Sequence, residues 1–322
     1  MKAIVCRQFG PIGGLELAEV DAPQPGPGEV VIRAEACGVN FPDGLLVQGL
    51  YQFKPPLPFV PGMEVVGEIV SVGSQVTRFK PGQRVGAVTE MGAWAEAVKA
   101  RENALRRVDP EADAGELLAL MCGYGTAQHG LKQRAGLKPG ETLAVTGAAG
   151  LTGLAAVQIG TIMGAKVIAI ASTVEKRQLA LKNGADVALP YDSLKESLKA
   201  ETGGQGVDVA FDGVGGDAFD SLARNMAWGG RLLVVGFASG NIPQFPVNLA
   251  LVKGYSVVGV FWGSFCQREP LLLDENNSQL MAWYNQRKLR PHVERVFPLA
   301  EAAKALQFIH NRQATGKIVL KP

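Results

Sequence analysis

The sequence predicts an α/β protein in which a β-rich, barrel- or sandwich-like first third precedes a doubly wound parallel sheet, and a short tail returns to the first module. Three observations carry that expectation. Short apolar runs in the first third are punctuated by Pro25-Gly26-Pro27-Gly28, Pro61-Gly62 and Pro81-Gly82. From about Asp113 helical segments alternate with short, nearly uncharged strands, the texture of a parallel sheet covered on both faces. The length of 322 residues suits roughly two domains of ~150 residues.

Taken in order, Met1-Lys2-Ala3-Ile4-Val5-Cys6-Arg7 reads as a strand, too poor in apolar residues for a signal peptide. Strands follow over 29–34, 65–72 and 84–88, then helical segments over 116–121 and 126–135. The alternating region has strands over 142–146, 166–171, 207–211, 231–236 and 257–261. Helices over 151–164, 175–183 and 219–227 lie between them. Helices over 274–286 and 300–310 and a strand over 317–320 form the tail. The expected boundaries are 1–121, 122–257 and 258–322, the last segment completing the first domain.

Composition narrows the function classes. With 32 Lys and Arg against 30 Asp and Glu, the net charge of +2 gives no field for duplex nucleic acid or an anionic membrane. The uncharged windows 142–165 and 232–252 are interrupted by Gly, Thr, Asn and Pro, so neither reads as a membrane helix. Cys6, Cys37, Cys122 and Cys266 form no C-x-x-C pair, which argues against a zinc ribbon or redox dithiol. A soluble cytoplasmic protein is the expectation. Glycine supplies 40 residues, well above the usual ~7%, and the excess should sit in tight turns and close backbone approaches.

The sharpest local signal is Thr142-Leu143-Ala144-Val145-Thr146-Gly147-Ala148-Ala149-Gly150-Leu151-Thr152-Gly153-Leu154. A strand enters a glycine-rich turn that opens a helix, so Gly150, Leu151 and Thr152 are expected against a pyrophosphate. Ala149 stands where a strict G-x-G-x-x-G would have glycine, and a packing turn is the competing reading. The next strand ends in Ser172-Thr173-Val174-Glu175-Lys176-Arg177, with no acid at its tip. An acid there would take a ribose 2′-hydroxyl, whereas hydroxyls and cations suit a 2′-phosphate. Ser172, Thr173 and Lys176 therefore point to NADPH. A solvated helix face for Lys176 and Arg177, or a ribose contact by Glu175, are the alternatives.

Motifs distributed along nearly the whole chain resemble the zinc-independent quinone oxidoreductases of the medium-chain dehydrogenase/reductase superfamily. They are Gly38-Val39-Asn40-Phe41-Pro42-Asp43, Gly49-Leu50-Tyr51-Gln52, Pro58-Phe59-Val60-Pro61-Gly62-Met63-Glu64, Val70-Ser71-Val72-Gly73 and Pro81-Gly82-Gln83-Arg84-Val85. Further on come Phe211-Asp212-Gly213-Val214-Gly215-Gly216, the 236–243 segment and Thr315-Gly316-Lys317-Ile318-Val319-Leu320. The resemblance implies a partly open, GroES-like β-barrel catalytic domain, a Rossmann domain and a homodimer. Zinc alcohol dehydrogenases have a Cys ligand where this chain has Asn40 and Gly-His-Glu where it has Gly62-Met63-Glu64; neutral Asn and Met do not replace thiolate and imidazole. No metal is expected, and the implied chemistry is hydride transfer to a quinone or another activated, α,β-unsaturated acceptor.

The resemblance also implies roles. Asn40 would donate to a developing oxyanion, or is simply a turn or cap residue; Tyr51 would pass a proton, or is a packed aromatic. Phe41, Pro42 and Asp43 match a cofactor-facing loop, with Asp43 as its organiser. Thr126, Tyr191, Val214, Phe237, Ala238, Ser239, Phe261, Trp262 and Gly263 match cofactor contacts. Lys317 is expected as a solvated strand-end lysine, with a reach to the pyrophosphate as the alternative, and His129, His292 and His310 receive no catalytic role. The apolar strand over 256–261 should be the last of its sheet and invites pairing with a second copy. Reduction of an enoyl thioester or enone, and a non-catalytic NADPH-binding protein, are the rival readings.

Overall fold

A computed structural model describes residues 1–322, which divide into two units: Met1–Cys122 with Pro291–Pro322, and Gly123–Arg290. In the first unit the β-branched runs pair as the Pro-Gly turns require. Strands β1 (Lys2–Val5) and β2 (Glu16–Glu19) form an antiparallel pair. Next come β3 (Glu29–Val39), α1 (Phe41–Val47), β4 (Glu64–Val72), β5 (Arg84–Val88), β6 (Ala97–Arg101), β7 (Leu105–Arg107) and α2 (Ala114–Ala119).

The second unit opens with α3 (Gly125–Gln128), embedded in a helical run. π-helical turns at Leu120–Tyr124 and His129–Arg134 flank it. Then β8 (Thr142–Thr146), α4 (Leu151–Ile162), β9 (Lys166–Ile170), α5 (Val174–Lys182), β10 (Val187–Leu189) and α6 (Leu194–Glu201) alternate. They are followed by β11 (Val207–Asp212), α7 (Asp217–Arg224), β12 (Met226–Val234), α8 (Asn248–Lys253), β13 (Ser256–Gly259), α9 (Trp262–Arg268) and α10 (Pro270–Asn285). The chain then re-enters the first unit as β14 (Val293–Pro298), α11 (Ala302–His310) and β15 (Lys317–Lys321).

All five strand pairings of the second sheet are parallel, in the order β10-β9-β8-β11-β12-β13. That is the doubly wound arrangement with the strand order reversing beside β8. Its centre is nearly dry: Leu143, Ala144, Val145, Val167, Ile168 and Ala169 are fully buried. This is why these strands carry almost no charge in the sequence. The first sheet runs β14-β15-β3-β4-β5-β7, with β6 also pairing β3. Strand β15 lies parallel to β14 and antiparallel to β3, so the last strand of the chain is a central strand of the first unit.

Several expected elements shift, each for a local reason. Residues 41–43 open a helix rather than a loop. Proline suits a first helical turn, and the Asp43 carboxylate accepts from the Asn40 N–H at 2.7 Å. The helix expected over 219–227 is Asp217–Arg224, and the strand expected to start at 231 already starts at Met226. Gly229 and Gly230 sit in a register shift of β12 and interrupt its apolar pattern. Phe261 does not end a strand; it precedes α9, which the sequence reading lacks. The tail begins at Pro291, not at 258: β13 is hydrogen-bonded within the second sheet, and Asn276 of α10 bonds with Gln133 and Lys132. No helix is long and apolar enough to cross a membrane.

Arg231 of β12 knits the second sheet to the turn before it. Its guanidinium grips both Glu141 oxygens at 3.0 and 2.7 Å and donates to the Ala135 and Asp208 carbonyls. Burial alone would raise the Glu141 carboxyl, but the bonds and charge of Arg231 hold it below the usual range. Lysine cannot reproduce a planar two-point grip. Arg231→Lys should therefore lose about 1–3 kcal/mol of stability, read as a lower urea midpoint with an unchanged m-value.

Candidate functional site

Because every strand of the second sheet runs the same way, the residues following the strands emerge at one edge. After β8 comes the glycine turn. Gly147 has φ +59°, and a Cβ on Gly153 would overlap the Gly147 carbonyl oxygen, so the helix packs against the turn only because that atom is missing. No side chain caps Gly150. The first-turn N–H groups of α4, including those of Leu151 and Thr152, are thus left to a ligand or water.

The neighbouring strands add to the same edge. After β9 come Ser172 and Thr173; the Thr173 hydroxyl accepts from the Lys176 N–H at 3.2 Å and caps α5. Arg177 turns back onto the Ala171 and Ser172 carbonyls at 3.2 and 3.3 Å, fixing the backbone that presents Ser172. Beyond β10 the Tyr191 hydroxyl accepts from the Gly147 N–H at 2.8 Å. Tyr191 is therefore a brace for the turn. After β11 and β12, Ala238 N–H donates to the Gly213 carbonyl and Ser239 N–H to the Val214 carbonyl. These bonds join Val214 to Phe237, Ala238 and Ser239.

Asp212 holds this edge together, a role the sequence reading missed. Its carboxylate accepts from the Thr146 hydroxyl at 2.5 Å and from the Val214 and Gly215 N–H groups at 3.0 to 3.2 Å. Burial raises its pKa, and these donors oppose the rise. The signal was available: an acid ending an otherwise apolar strand opposite a threonine ending the next.

The residues expected after β13 divide. Phe261 is exposed, whereas Trp262 is buried with its indole against Gly125 and its Nε1 lacking a partner. Gly263 lies in the first turn of α9. Thr126 is the second residue of α3, inside a helical run that began at Ala114. His129 stacks on Phe265 with centroids 4.0 Å apart.

In the first unit, a buried polar cluster surrounds Asn40. Lys317, Glu64 and Asp43 are fully buried and Asn40 nearly so. Lys317 donates to Glu64 and, at 3.0 Å, to Asn40 Oδ1; Asn40 Nδ2 donates to Glu64 at 3.0 Å. Lys317 is thus no solvated lysine: β15 is central, and its first residue points into the protein. Asn40 also precedes α1 as its N-cap, as the cap reading expects. Phe41 stacks on His310 with centroids 4.4 Å apart, and His310 Nε2 lies 3.1 Å from the Phe41 carbonyl. Tyr51 packs half-buried against the first core, and burial, with the charges of Cys122 and Asp43, raises its hydroxyl pKa.

Burial pushes Asp43 up to about 7; the Asn40 N–H and Lys317 lower it and Glu64 raises it. Its Oδ1 and Glu64 Oε1 have no hydrogen-bond partner. The carboxyl pKa in the fold exceeds its unfolded value of 3.8. Between those values the folded state binds the extra proton, so this group's contribution to stability falls as pH rises through that window. Asp43→Asn should flatten the fall, by at most about 1.4 kcal/mol per pH unit, in melts recorded from pH 4 to 8.

Comparison with known proteins fits both halves of this description. The alcohol dehydrogenase GroES-like domain family matches residues 26–130, and the zinc-binding dehydrogenase family matches residues 152–278. Rat quinone oxidoreductase-like protein 2 is 39% identical over 99% of this chain and 91% of its own length. Pig quinone oxidoreductase is 33% identical over 99% and 97%. Among solved structures, the Thermus thermophilus quinone oxidoreductase covers both chains fully at 37% identity and TM-score 0.87. The Escherichia coli quinone oxidoreductase complexed with NADPH does so at 27% identity and TM-score 0.95. With that coverage, and with the doubly wound edge and the barrel-like unit each in place, the chain belongs to the quinone oxidoreductase branch of the medium-chain dehydrogenase/reductase superfamily.

Proposed function

We propose that this oxidoreductase uses NADPH to reduce quinones or other activated, α,β-unsaturated carbonyl acceptors, and that it does so without zinc. The observation carrying the reading is the shared carboxyl edge of the parallel sheet, where a glycine turn, an uncapped helix and an acid-free second strand come together. Bound there, NADPH would supply the hydride. The first-turn N–H groups of α4 bind the pyrophosphate, and Gly153 keeps that helix close. Ser172, Thr173 and Lys176 take the 2′-phosphate, the charge-assisted contact that separates NADPH from NADH. Val214, Phe237, Ala238 and Ser239 wall the nucleotide; Phe261, Trp262 and Gly263, with Thr126, border its nicotinamide end. Within the first unit, Phe41, Pro42 and Asp43 are the proposed cofactor contacts.

The acceptor's needs fall to the first unit. Asn40 holds a carboxamide N–H for the oxygen on which charge develops, and Tyr51 holds the proton that completes the reduction. A quinone or enone is already electron-poor, so no Lewis acid is needed to polarise it. The donor set supports zinc independence: where zinc enzymes have thiolate and imidazole, this chain has Asn40 and Met63, and the Lys317 ammonium already faces Glu64. Four free cysteines suit a cytoplasmic setting.

Lys176→Ala should weaken NADPH binding by about 1–3 kcal/mol while NADH binding stays the same, as measured by nucleotide fluorescence titration. Equal losses for both nucleotides would remove the 2′-phosphate assignment.

We also propose a homodimer through β13. Ser256 and Val257 are exposed on this edge strand, and Trp228, Val247, Leu251 and Val252 expose further apolar surface in the same unit. Light scattering should give twice the 34.0 kDa chain mass, and Val257→Lys should shift it towards that of the single chain.

A further inference from the structure

We propose that Lys317 is a positioning residue for the reduction, an internal cation that locks the Asn40 carboxamide in one orientation; this rests on the oxidoreductase reading above. The geometry lies entirely within the first unit. Asn40 ends β3's run into α1, Glu64 begins β4 and Lys317 begins β15. Lys317 and Glu64 are fully buried. An ammonium only donates and a carboxylate only accepts. Between them, Asn40 has one satisfactory arrangement: Oδ1 on Lys317 Nζ at 3.0 Å and Nδ2 on Glu64 Oε2 at 3.0 Å. A flipped amide would set oxygen against carboxylate and NH₂ against ammonium.

The carboxamide nitrogen has two hydrogens, and Glu64 takes one. The other has no acceptor in the protein, so it is the donor left for the acceptor's oxygen. The remaining surroundings favour a fixed pair. Gly38 of β3 stands beside it, and a Cβ there would overlap Glu64 Oε2 and lie 2.7 Å from Lys317 Nζ. The Trp94 indole donates to the Gly38 carbonyl at 2.9 Å, fixing that backbone. A buried ion pair is a doubtful source of stability but a strong source of orientation. Without the ammonium, Asn40 Oδ1 loses its charged donor, and the amide is less firmly held about its last torsion.

The test uses the intact protein with Lys317→Ala, Lys317→Arg and Lys317→Met. The side-chain amide of Asn40, identified by comparison with Asn40→Asp, is followed by ¹H–¹⁵N NMR, and NADPH affinity and benzoquinone reduction are measured in parallel. The expected wild-type signal is a pair of resolved, slowly exchanging amide protons, and Lys317→Ala should broaden or merge them. The same variant should lower kcat about a hundredfold with NADPH affinity unchanged, since one misdirected donor costs on that order. Ethylammonium, supplying the missing cation, should restore part of kcat to Lys317→Ala and none to Lys317→Met, whose side chain fills the space. Lys317→Arg should retain more activity than either neutral variant.

An unchanged Asn40 amide in a folded Lys317→Ala protein would overturn the proposal, as would a kcat within twofold of wild type. If Lys317→Ala does not fold, Lys317→Met carries the same test at nearly constant volume. Should wild type reduce no quinone or enone, the acceptor reading above fails, and the NMR response of the amide alone decides whether Lys317 orients Asn40.

Discussion

The first unit is held together by a charge near the end of the chain. Residue 317 lies in the interior because β15 pairs with both β14 and β3, and there its ammonium meets Glu64, at the start of a strand some 250 residues earlier in the chain. Neither group has solvent to fall back on. An unpaired buried carboxylate or ammonium costs several kcal/mol, so the N-terminal strands and the returning tail are each an unstable half without the other. That dependence explains how a chain can leave one unit at Cys122, build another from Gly123 to Arg290, and still complete the first at Pro291.

The second unit obeys a different constraint. A parallel sheet places all carboxyl ends of its strands on one side, and the polar groups at those ends pair with one another. Thr146, Asp212 and the N–H groups of Val214 and Gly215 satisfy one another, and Tyr191 braces Gly147. The loops are therefore held by bonds among themselves before any ligand arrives, which lowers the ordering cost of binding. The tip of β9 holds Ser172 and Thr173, and the nearest acid, Glu175, lies in the first turn of α5.

Much of this could be read from the sequence, and the misreadings are physically informative. The alternation of uncharged strands and helices specified the doubly wound sheet because burial on both faces leaves no room for charge. The glycine turn was legible because its backbone geometry excludes side chains. What escaped was mostly long-range. Lys317 looked like an exposed strand-end lysine, since nothing local records that β15 becomes central. Asp212 looked like part of a motif, since its partner Thr146 lies 66 residues away. The glycines in β12 broke its apolar pattern, and α1 was hidden by its proline, which ends helices in their interior yet suits their first turn. In the site itself, the residues after each strand could be placed by topology, but the orientation of Asn40 depends on two partners from distant strands.

Under the zinc-free reading proposed above, the cluster around Asn40 takes the place that a metal has in zinc-dependent relatives. A zinc ion would bring two things to a carbonyl: positive charge and a fixed direction of approach. Lys317 supplies the first only indirectly, because its ammonium is fully buried and bonded to Glu64 and Asn40. The fixed direction comes from an amide whose orientation two opposite charges determine. On that reading such a donor stabilises less charge than a divalent cation, which would favour acceptors already willing to receive hydride. Quinones and enones meet that condition, and simple alcohol–ketone pairs do not. The substrate class would thus follow from replacing a strong, coordinating cation with a weak, well-aimed dipole, with the cation kept behind it to do the aiming.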